Sequence, residues 1–397
     1  MKQSFFVLLL LLAGACASPS PAQHHTSAFD PAAVLEQLTD QAHQALAHYP
    51  LDTADGFPRS LEADGSVRGV RSRDWTSGFY PGVLWMLYDY SGNQQLKQAA
   101  QAWTAGLEQE KWNGRTHDMG FKIYCSFGQG YRLTDDPHYR DVIVQGARTL
   151  MTRFRPTVGA LRSWDHHQDE WAFPVIIDNM MNLELLFAAT RLTGDSSFYS
   201  VARQHALTTL HNHYRPDASS FHVVSYDTLT GQPLAHQTHQ GYADESAWAR
   251  GQAWGLYGFT MTYRETREAQ FLEHAHRIAD YLLQRLPTDG IPPWDFDVPE
   301  ATEAPRDASA AAIMASALLE LSTLGGKRAD TYRTTADRLL TTLASDRYRT
   351  TSVETPFLLR HSTGHVPHGD EIDVPISYAD YYFVEALLRR QHLQDPS

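Results

Sequence analysis

The chain has 397 residues, of which 42% are hydrophobic and 20% are charged, and its formal net charge is −13. This composition predicts a globular fold with a full core and excludes a largely disordered chain. The acidic balance argues against a nucleic-acid-binding protein, which would present a basic surface. An anionic small substrate is still compatible with this charge, because one buried arginine can dominate the field inside a pocket.

The first residues have the features of a signal peptide. Residues 5–12 form an apolar run that follows a lysine and is too short to span a bilayer. The Ala-Gly-Ala sequence before Cys16 fits ordinary cleavage and also resembles a bacterial lipoprotein box. We expect a signal peptide over residues 1–15, of lipoprotein type, and a flexible tether over residues 16–29. The protein would then lie in the periplasm or at the outer membrane of a bacterium, attached only through lipid on Cys16; plain secretion is the alternative.

From about residue 30 the chain reads as helical nearly throughout. Asp30 is a candidate N-cap, and Pro31 suits the first helical position. Apolar residues then recur at helical spacing. The predicted helices span 31–48, 79–91, 93–110, 118–133, 137–154, 178–193, 196–213, 246–265, 268–286, 307–323, 328–345 and 377–392. A short strand is expected within a loop, around 221–226.

The connections between these helices alternate between tight turns and long loops. Glycine, asparagine and aspartate mark most of the tight turns, where they supply left-handed and capping conformations. In an up-and-down ring of helices, alternate connections emerge at the same end, so the long loops should share one face. Residues 30–397 are therefore predicted to form one all-α domain, an (α/α)₆ barrel with a pocket at its loop end. An open α-solenoid is the alternative, but its repeats would be more regular.

Two aspartates stand where the long loops lead into predicted helices. Asp118 and Asp178 each suit a helix N-cap, and that is the ordinary role for an aspartate in this position. Both also begin alternate helices of the predicted ring, so they can converge on the pocket. Repulsion between two carboxylates, or desolvation by aromatic walls, would raise the pKa of one of them and keep a proton available for acid catalysis.

Four tryptophans are candidates for the wall of the pocket: Trp75, Trp164, Trp248 and Trp254. Each could instead belong to the core. Because Trp248 and Trp254 are six residues apart, they do not share one narrow helix stripe, and at least one of them is expected to face the pocket.

The histidines do not form a recognisable metal motif. The closest groups in sequence are His166 with His167, His211 with His213, and His236 with His239. None has the spacing of a zinc protease or an organised carboxylate partner. No phosphate-binding or dinucleotide motif occurs, so we predict neither a metal nor a cofactor. Cys125 is expected to be a small core residue.

Several segments taken together resemble the unsaturated glucuronyl hydrolases of glycoside hydrolase family 88. The resemblance runs in order from Trp75 to the last helix. The matching segments are 75–82 (WTSGFYPG), 117–121 (HDMGF), 178–182 (DNMMN), 239–254 (HQGYADESAWARGQAW), 307–310 (DASA) and 379–383 (ADYYF). The family fold is an (α/α)₆ barrel, which agrees with the helix pattern.

The resemblance implies a substrate, an oligosaccharide made by a polysaccharide lyase with a 4,5-unsaturated uronic acid at its non-reducing end. It implies that Asp178 protonates C4 and then activates the water that adds at C5, while Asp118 holds sugar hydroxyls and keeps Asp178 protonated. The remaining implied contacts are aromatic walls from Trp75, Trp164, Trp248 and Trp254, polar contacts from His222 and Gln240, and an ion pair from Arg250 to the substrate carboxylate.

Two other functions stay open at this point. An unsaturated galacturonyl or rhamnogalacturonyl hydrolase acting on pectin fragments would use the same fold and chemistry. A glycan-binding surface lipoprotein without catalysis is the other, although the presence of both aspartates disfavours it. Sulfate-accepting family members have an arginine and a Ser/Lys cluster near the subsite of the leaving sugar. Here the residue before Gln240 is His239, and residues 361–368 contain no lysine. Fragments of heparin, chondroitin, hyaluronan, gellan or algal polysaccharides therefore stay open as substrates.

Overall fold

The computed structural model describes residues 29–49, 56–167, 169–324 and 326–394. The predicted signal peptide, Cys16 and nearly all of the predicted tether lie outside these described residues. None of the described helices combines the length and the apolar character that a membrane span requires.

Twelve α-helices dominate the described part of the chain. They are α1 (Pro31–Ala45), α2 (Phe79–Ser91), α3 (Gln94–Ala105), α4 (Gln129–Thr134), α5 (Pro137–Met151), α6 (Leu183–Thr193), α7 (Ser196–Asn212), α8 (Ala249–Thr266), α9 (Ala269–Arg285), α10 (Ala308–Leu324), α11 (Ala329–Leu343) and α12 (Ser377–Gln394). A π-helix (Gly120–Gly128) leads into α4, and a 3₁₀ segment (Ile177–Asn182) leads into α6. Further 3₁₀ turns span Glu108–Trp112, Gly326–Arg328 and Val366–His368.

The helix termini follow the predicted turn chemistry. Asp30 caps α1, because its carboxylate accepts the N–H groups of Ala32 (3.0 Å) and Ala33 (3.3 Å). The tight turns each contain a residue with positive φ at the helix end: Gly92 (69°), Asp135 (52°), Gly194 (76°), Arg267 (59°) and Gly326 (53°). Arg267 is the exception to the expected residue types, because glycine or asparagine usually occupies this left-handed conformation.

The helices form two concentric rings. The inner ring runs through α2, the π-helix, α6, α8, α10 and α12, and α12 packs against α2 to close it. The other long helices lie outside, each against an inner partner, as α9 does on α8 and α11 on α10. The inner helix α8 is buried along Ala249–Thr262, whereas outer helices such as α9 bury one face. The closed ring confirms the (α/α)₆ barrel and excludes the open solenoid.

Two inner helices begin less regularly than the sequence predicts. The predicted helix 118–133 is a π-helix followed by the short α4, and the predicted helix 178–193 begins as a 3₁₀ segment. These two irregular segments meet at close range: Asn182 Oδ1 accepts the Phe121 N–H at 3.0 Å. A Cβ at Gly120 would lie 2.7 Å from the Asn182 Cα, so only glycine fits this contact.

Short antiparallel strands occupy the loop end of the barrel. They are β1 (Phe57–Leu61), β2 (Val67–Val70), β3 (Phe154–Arg155), β4 (Ala160–Leu161), β5 (Pro174–Ile176), β6 (Val223–Tyr226) and β7 (Pro233–Gln237). Strand β6 is the one predicted around 221–226, and it pairs with β5 and β7. The pairing extends to a bond from the Ile177 N–H to the His222 carbonyl (3.0 Å), which brings His222 beside Asp178.

Candidate active site

A cavity of about 350 Å³ opens at the loop end of the barrel. Its wall comes from the long connections and from the first residues of the inner helices, as predicted. The lining residues are Arg59, Trp75, Arg115, Thr116, His117, Asp118, Trp164, His166, Ile176, Asp178, His239, Gln240, Arg250, Gly364, His365, Asp370, Glu371 and Tyr378. Both predicted catalytic aspartates therefore reach one cavity from different hairpins.

A second cavity of equal volume lies at the opposite end, beneath the tight turns. Its acidic residues already have partners: Glu184 pairs with Arg264, and Glu385 accepts hydrogen bonds from Tyr257 (3.0 Å) and Ser316 (2.5 Å). We therefore place the candidate active site at the loop end.

Asp178 is buried, and its carboxyl does not cap the helix that it begins. The cap position of the 3₁₀ segment is Ile176, and no side chain bonds the free N–H groups there. Burial raises the pKa of Asp178 to about 7, and the charge of Asp118 raises it further, whereas Arg250 lowers it. The Trp254 indole N–H also lowers this pKa, although the pair falls outside ordinary hydrogen-bond geometry. The N-cap alternative is thus wrong for Asp178, which is instead a carboxyl able to hold a proton near neutral pH.

His222 faces Asp178 with its ring in a defined tautomer. The backbone N–H groups of His239 and Gln240 donate to His222 Nδ1 at 3.0 and 3.1 Å, so the neutral ring carries its hydrogen on Nε2. Burial lowers the pKa of His222 well below its usual value, which keeps the ring neutral. Its Nε2 lies 3.8 Å from Asp178 Oδ2, and neither atom has a protein hydrogen-bond partner. Gln240 lines the cavity and donates to the Gly364 carbonyl at 3.2 Å.

Asp118 lines the same cavity in a polar setting. Thr116 Oγ1 donates to its Oδ2 at 2.8 Å, and His117 Nε2 lies 3.1 Å from its Oδ1. The other ring nitrogen of His117 lies 2.8 Å from the Ser163 carbonyl, which requires the hydrogen to be on Nδ1. Asp118 is thus partly exposed and accepts a hydrogen bond, whereas Asp178 is buried and its Oδ2 has no partner. This difference in setting favours the protonated form of Asp178.

Arg250 lines the cavity, but most of its hydrogen-bonding capacity is already used. Its Nη1 pairs with buried Asp307 at 3.0 Å and also donates to the Thr363 carbonyl, while Nη2 donates to the Gly364 carbonyl at 2.7 Å. The guanidinium lies 4.5 Å from the ring centre of Trp248. Its Nε is buried without a partner. The ion pair between Arg250 and a substrate carboxylate stays a prediction, for which Nε and the second N–H of Nη2 are the remaining donors.

The four tryptophans divide into two pairs. Trp75 and Trp164 line the cavity; Trp75 stacks on Tyr378 with 5.0 Å between ring centres. Trp248 and Trp254 are buried outside the lining of the cavity, so the expectation that at least one of them faces it is wrong. They do point to different sides of α8, as the spacing predicts, but His222 covers Trp248, and the core covers Trp254.

The sequence analysis did not predict several residues of the cavity wall. Arg59 on β1 donates to both oxygens of Glu371 (2.8 and 2.7 Å) and to Asp74 (3.0 Å), which ties the hairpin to the C-terminal loop. Tyr378 stands directly before the 379–383 segment, and that position was the one signal for it. Arg115 is exposed on the cavity rim, and no ion pair to it occurs among the described residues.

Three further histidines meet on one side of this cavity. One nitrogen each of His239, His365 and His368 lies within 4.8 Å of the others. Burial and the neighbouring rings lower the pKa of His239 to about 4 and that of His365 to about 3. The sequence groups that paired His239 with His236 did not reveal this cluster, because its members come from loops far apart in the chain.

Comparisons with known proteins agree with this geometry. Residues 56–386 match the Glycosyl Hydrolase Family 88. An unsaturated glucuronyl hydrolase from Formosa agariphila is 51% identical, covering 88% of each chain. An unsaturated chondroitin disaccharide hydrolase from Streptococcus pyogenes serotype M1 is 33% identical, covering 89% of this chain and 91% of the relative.

A solved structure gives the same result for the fold. The crystal structure of an unsaturated glucuronyl hydrolase specific for heparin superposes with a TM-score of 0.87 at 45% identity, covering 91% of this chain and 97% of the other. The predicted family, fold and enzyme class are confirmed. This chain belongs to glycosyl hydrolase family 88.

Proposed function

We propose that this protein is an exo-acting hydrolase that removes the non-reducing 4,5-unsaturated uronic acid from lyase-generated oligosaccharides. The observation that carries the proposal is the buried Asp178 carboxyl in the cavity, whose Oδ2 has no hydrogen-bond partner and whose pKa of about 7 keeps it protonated where an ordinary aspartate is ionised. At pH 6 roughly nine-tenths of such a group holds its proton, against about one per cent at a pKa near 3.9. The similarity to unsaturated glucuronyl hydrolases supports the same activity.

The proposed reaction begins with proton transfer from Asp178 to C4 of the unsaturated ring. Electron density from the ring oxygen supports the cation that forms at C5. A water then bonds to C5 while the Asp178 carboxylate accepts one of its protons, which restores the acid. The resulting hemiketal opens by breaking the bond between C5 and the ring oxygen. The hydroxyl freed at C1 becomes the carbonyl of an aldehyde as the remaining sugar leaves with a proton.

The surrounding residues suit the charges that develop on the sugar ring and on Asp178 during this reaction. His222 is neutral and presents Nε2–H beside Asp178, so it can orient the water or a sugar hydroxyl without adding a charge. The Asp118 carboxylate raises the pKa of Asp178 and stabilises the cation as it develops. Trp75 and Trp164 provide aromatic surface for the sugar rings. No step in this scheme requires a metal or a cofactor.

We propose glycosaminoglycan-type disaccharides as the substrate class, with unsulfated ones preferred. The named relatives act on heparin or chondroitin fragments. The C-terminal loop brings Asp370 and Glu371 to the cavity, and no lysine is among the lining residues. Asp370 and Glu371 are paired with Arg68 and Arg59, so the described residues in this part of the wall offer a sulfate neither a lysine nor an unpaired arginine.

A panel of lyase-generated disaccharides tests the activity and its specificity together. The conjugated double bond absorbs in the ultraviolet, and hydrolysis removes this absorbance. We expect loss of absorbance with unsulfated chondroitin and heparin disaccharides, slower loss with sulfated ones and little with pectin fragments. Failure with every glycosaminoglycan fragment, by folded protein, would contradict the proposal, and faster loss with pectin fragments would favour the galacturonyl alternative.

We also propose that the mature protein is held at the bacterial membrane through lipid on Cys16. The Ala-Gly-Ala-Cys sequence after a short apolar run supports this location. Expression in a Gram-negative host with a labelled fatty acid should label the protein, and Cys16→Ser should abolish the label and release the protein into the soluble periplasmic fraction. An unlabelled wild-type protein in the medium would favour plain secretion.

A further inference from the structure

The cluster of His239, His365 and His368 is compact. His365 and His368 are stacked with 3.9 Å between ring centres and an interplanar angle of 8°. The ring of His239 stands nearly perpendicular to both, at 4.9 Å from His365 and 5.1 Å from His368. Each residue presents one nitrogen within 4.8 Å of the other two.

The hydrogen-bonding capacity of these rings is unused. Both ring nitrogens of His365 are enclosed and have no hydrogen-bond partner. Among the described residues, no hydrogen bond or ion pair reaches the ring nitrogens of His239 or His368 either. Enclosed polar atoms are usually satisfied, so the His365 imidazole, with both nitrogens enclosed and two other imidazoles in contact with it, needs a further partner. A cation that accepts nitrogen lone pairs satisfies all three at once.

The backbone beneath the cluster is well defined. His365 and Asp370 exchange backbone hydrogen bonds (2.9 and 3.0 Å) around the Val366–His368 turn. His365 directly precedes this turn, and His368 ends it. The third belongs to His239, whose own backbone N–H is bonded to His222. His239 and His365 line the cavity that contains Asp178, whereas His368 is exposed and able to reorient.

We propose that His239, His365 and His368 form a binding site for a divalent transition metal ion, for which Zn²⁺ is the reference. Three imidazole ligands with one open position are an established zinc arrangement, with Zn–N distances of about 2.0–2.1 Å. The nitrogens of a tetrahedral site lie roughly 3.4 Å apart at those bond lengths. Nitrogens that now lie within 4.8 Å of one another must therefore approach by up to about 1.4 Å, through rotation of the exposed His368 ring and small shifts of the other two. The open position is left for water or for an oxygen of a bound saccharide.

Such an ion adds positive charge to one wall of a cavity that also contains Asp118, Asp178, Asp370 and Glu371. The site does not depend on the proposed hydrolysis, because Asp178 does not belong to it. Metal binding and catalysis are therefore tested separately.

Isothermal titration calorimetry with ZnCl₂ at pH 7.5 tests the site. The full chain is used without an affinity tag and after dialysis against a chelator. The variants are His365→Ala and His368→Ala, and His392→Ala, on the exposed end of α12, is the matched control. We expect one Zn²⁺ per chain with a Kd of about 10 μM or tighter, weakened at least tenfold in both cluster variants and unchanged in His392→Ala. MgCl₂, an oxygen-seeking ion, should not bind there.

A Co²⁺ titration gives an independent readout, since a tetrahedral nitrogen site produces visible absorption bands. We expect these bands in the wild type and their loss in the cluster variants. His368 is exposed, so its variant keeps the test valid if His365→Ala lowers the melting temperature. The proposal is overturned if Zn²⁺ does not bind saturably, or if both cluster variants bind it as tightly as the wild type.

Discussion

Asp178 is expected to lower the free energy of unfolding at neutral and alkaline pH, and a neutral side chain in its place should remove this loss. Its pKa is about 7 in the folded protein, against an ordinary value of 3.8 for an aspartate. The folded state therefore holds the proton more tightly than the unfolded state, and the free energy of unfolding falls as pH rises from about 4 to 7. At 1.36 kcal/mol per pKa unit, the full cost is about 4 kcal/mol. Asp178→Asn should be more stable than the wild type by about this amount at pH 8.

The dependence on pH distinguishes this effect from ordinary repacking. At pH 5 the ionisation of Asp178 stabilises the unfolded state less than it does at pH 8, and the linkage gives a cost of roughly 2 kcal/mol. The free energy of unfolding of Asp178→Asn, relative to the wild type, should thus grow by roughly 2–3 kcal/mol between pH 5 and pH 8. Urea unfolding followed by tryptophan fluorescence measures it directly.

Asp165→Asn is a control of opposite sign. Burial acts to raise the pKa of Asp165, but the ion pair with Arg153 outweighs this and holds the pKa below its usual value. This carboxylate therefore stabilises the folded state at neutral pH, and its loss should destabilise the protein at both pH values.

The argument for Asp178 is refuted if Asp178→Asn and the wild type differ in free energy of unfolding by the same amount at pH 5 and pH 8. It is also refuted if Asp178→Asn is less stable than the wild type at pH 8.

The remaining predictions concern charge, packing and substrate contact. Asp118→Asn removes a charge that raises the pKa of Asp178, so the alkaline limb of the kcat/KM profile should move to lower pH. Arg250→Met leaves Asp307 buried and unpaired, which should cost about 3–5 kcal/mol in urea unfolding. Adding Asp307→Asn should recover most of that loss. Trp164→Ala removes part of the cavity wall and should raise KM roughly tenfold, by loss of an aromatic contact.

Each of these predictions has a contrary outcome. An alkaline limb that Asp118→Asn leaves in place would show that the two carboxyl groups are not coupled. A double variant no more stable than Arg250→Met would argue that the buried ion pair is not the source of the cost. For the tryptophans, Trp254→Ala is the comparison: as a core residue it should lose about 3–5 kcal/mol of stability. A larger stability loss from Trp164→Ala would contradict the division into cavity and core residues.

Much of the fold was predictable because the capping residues mark the helix ends, and the helix ends in turn indicate how the helices are connected. The caps at Asp30, Asn93 and Asp136 follow from side-chain oxygens that accept N–H groups in the first turn. The alternation of tight turns and long loops then predicts a ring with one functional end. The π-helix at Gly120 was not predictable, because it depends on contact with Asn182, more than fifty residues away.

The sequence predicted which carboxyl groups meet in the candidate site, but not which aromatic and histidine side chains line it. Asp118 and Asp178 converge because helix order places both at the loop end, which the sequence can indicate. The burial of Trp248 and Trp254 depends on what covers each face of α8, and spacing along one helix carries no information about that. The contact of His239 with His365 arises only from loop folding and has no local signature.

The most direct test of the catalytic assignment compares wild type and Asp178→Asn on one unsaturated glycosaminoglycan disaccharide. Ultraviolet absorbance measures turnover, and calorimetry with the same disaccharide measures binding. Asp165→Asn serves as the control, since its carboxyl lies outside the residues that line the cavity. We predict that Asp178→Asn binds the disaccharide but removes no absorbance, while Asp165→Asn retains activity. Turnover by Asp178→Asn at a rate near that of the wild type would contradict the account.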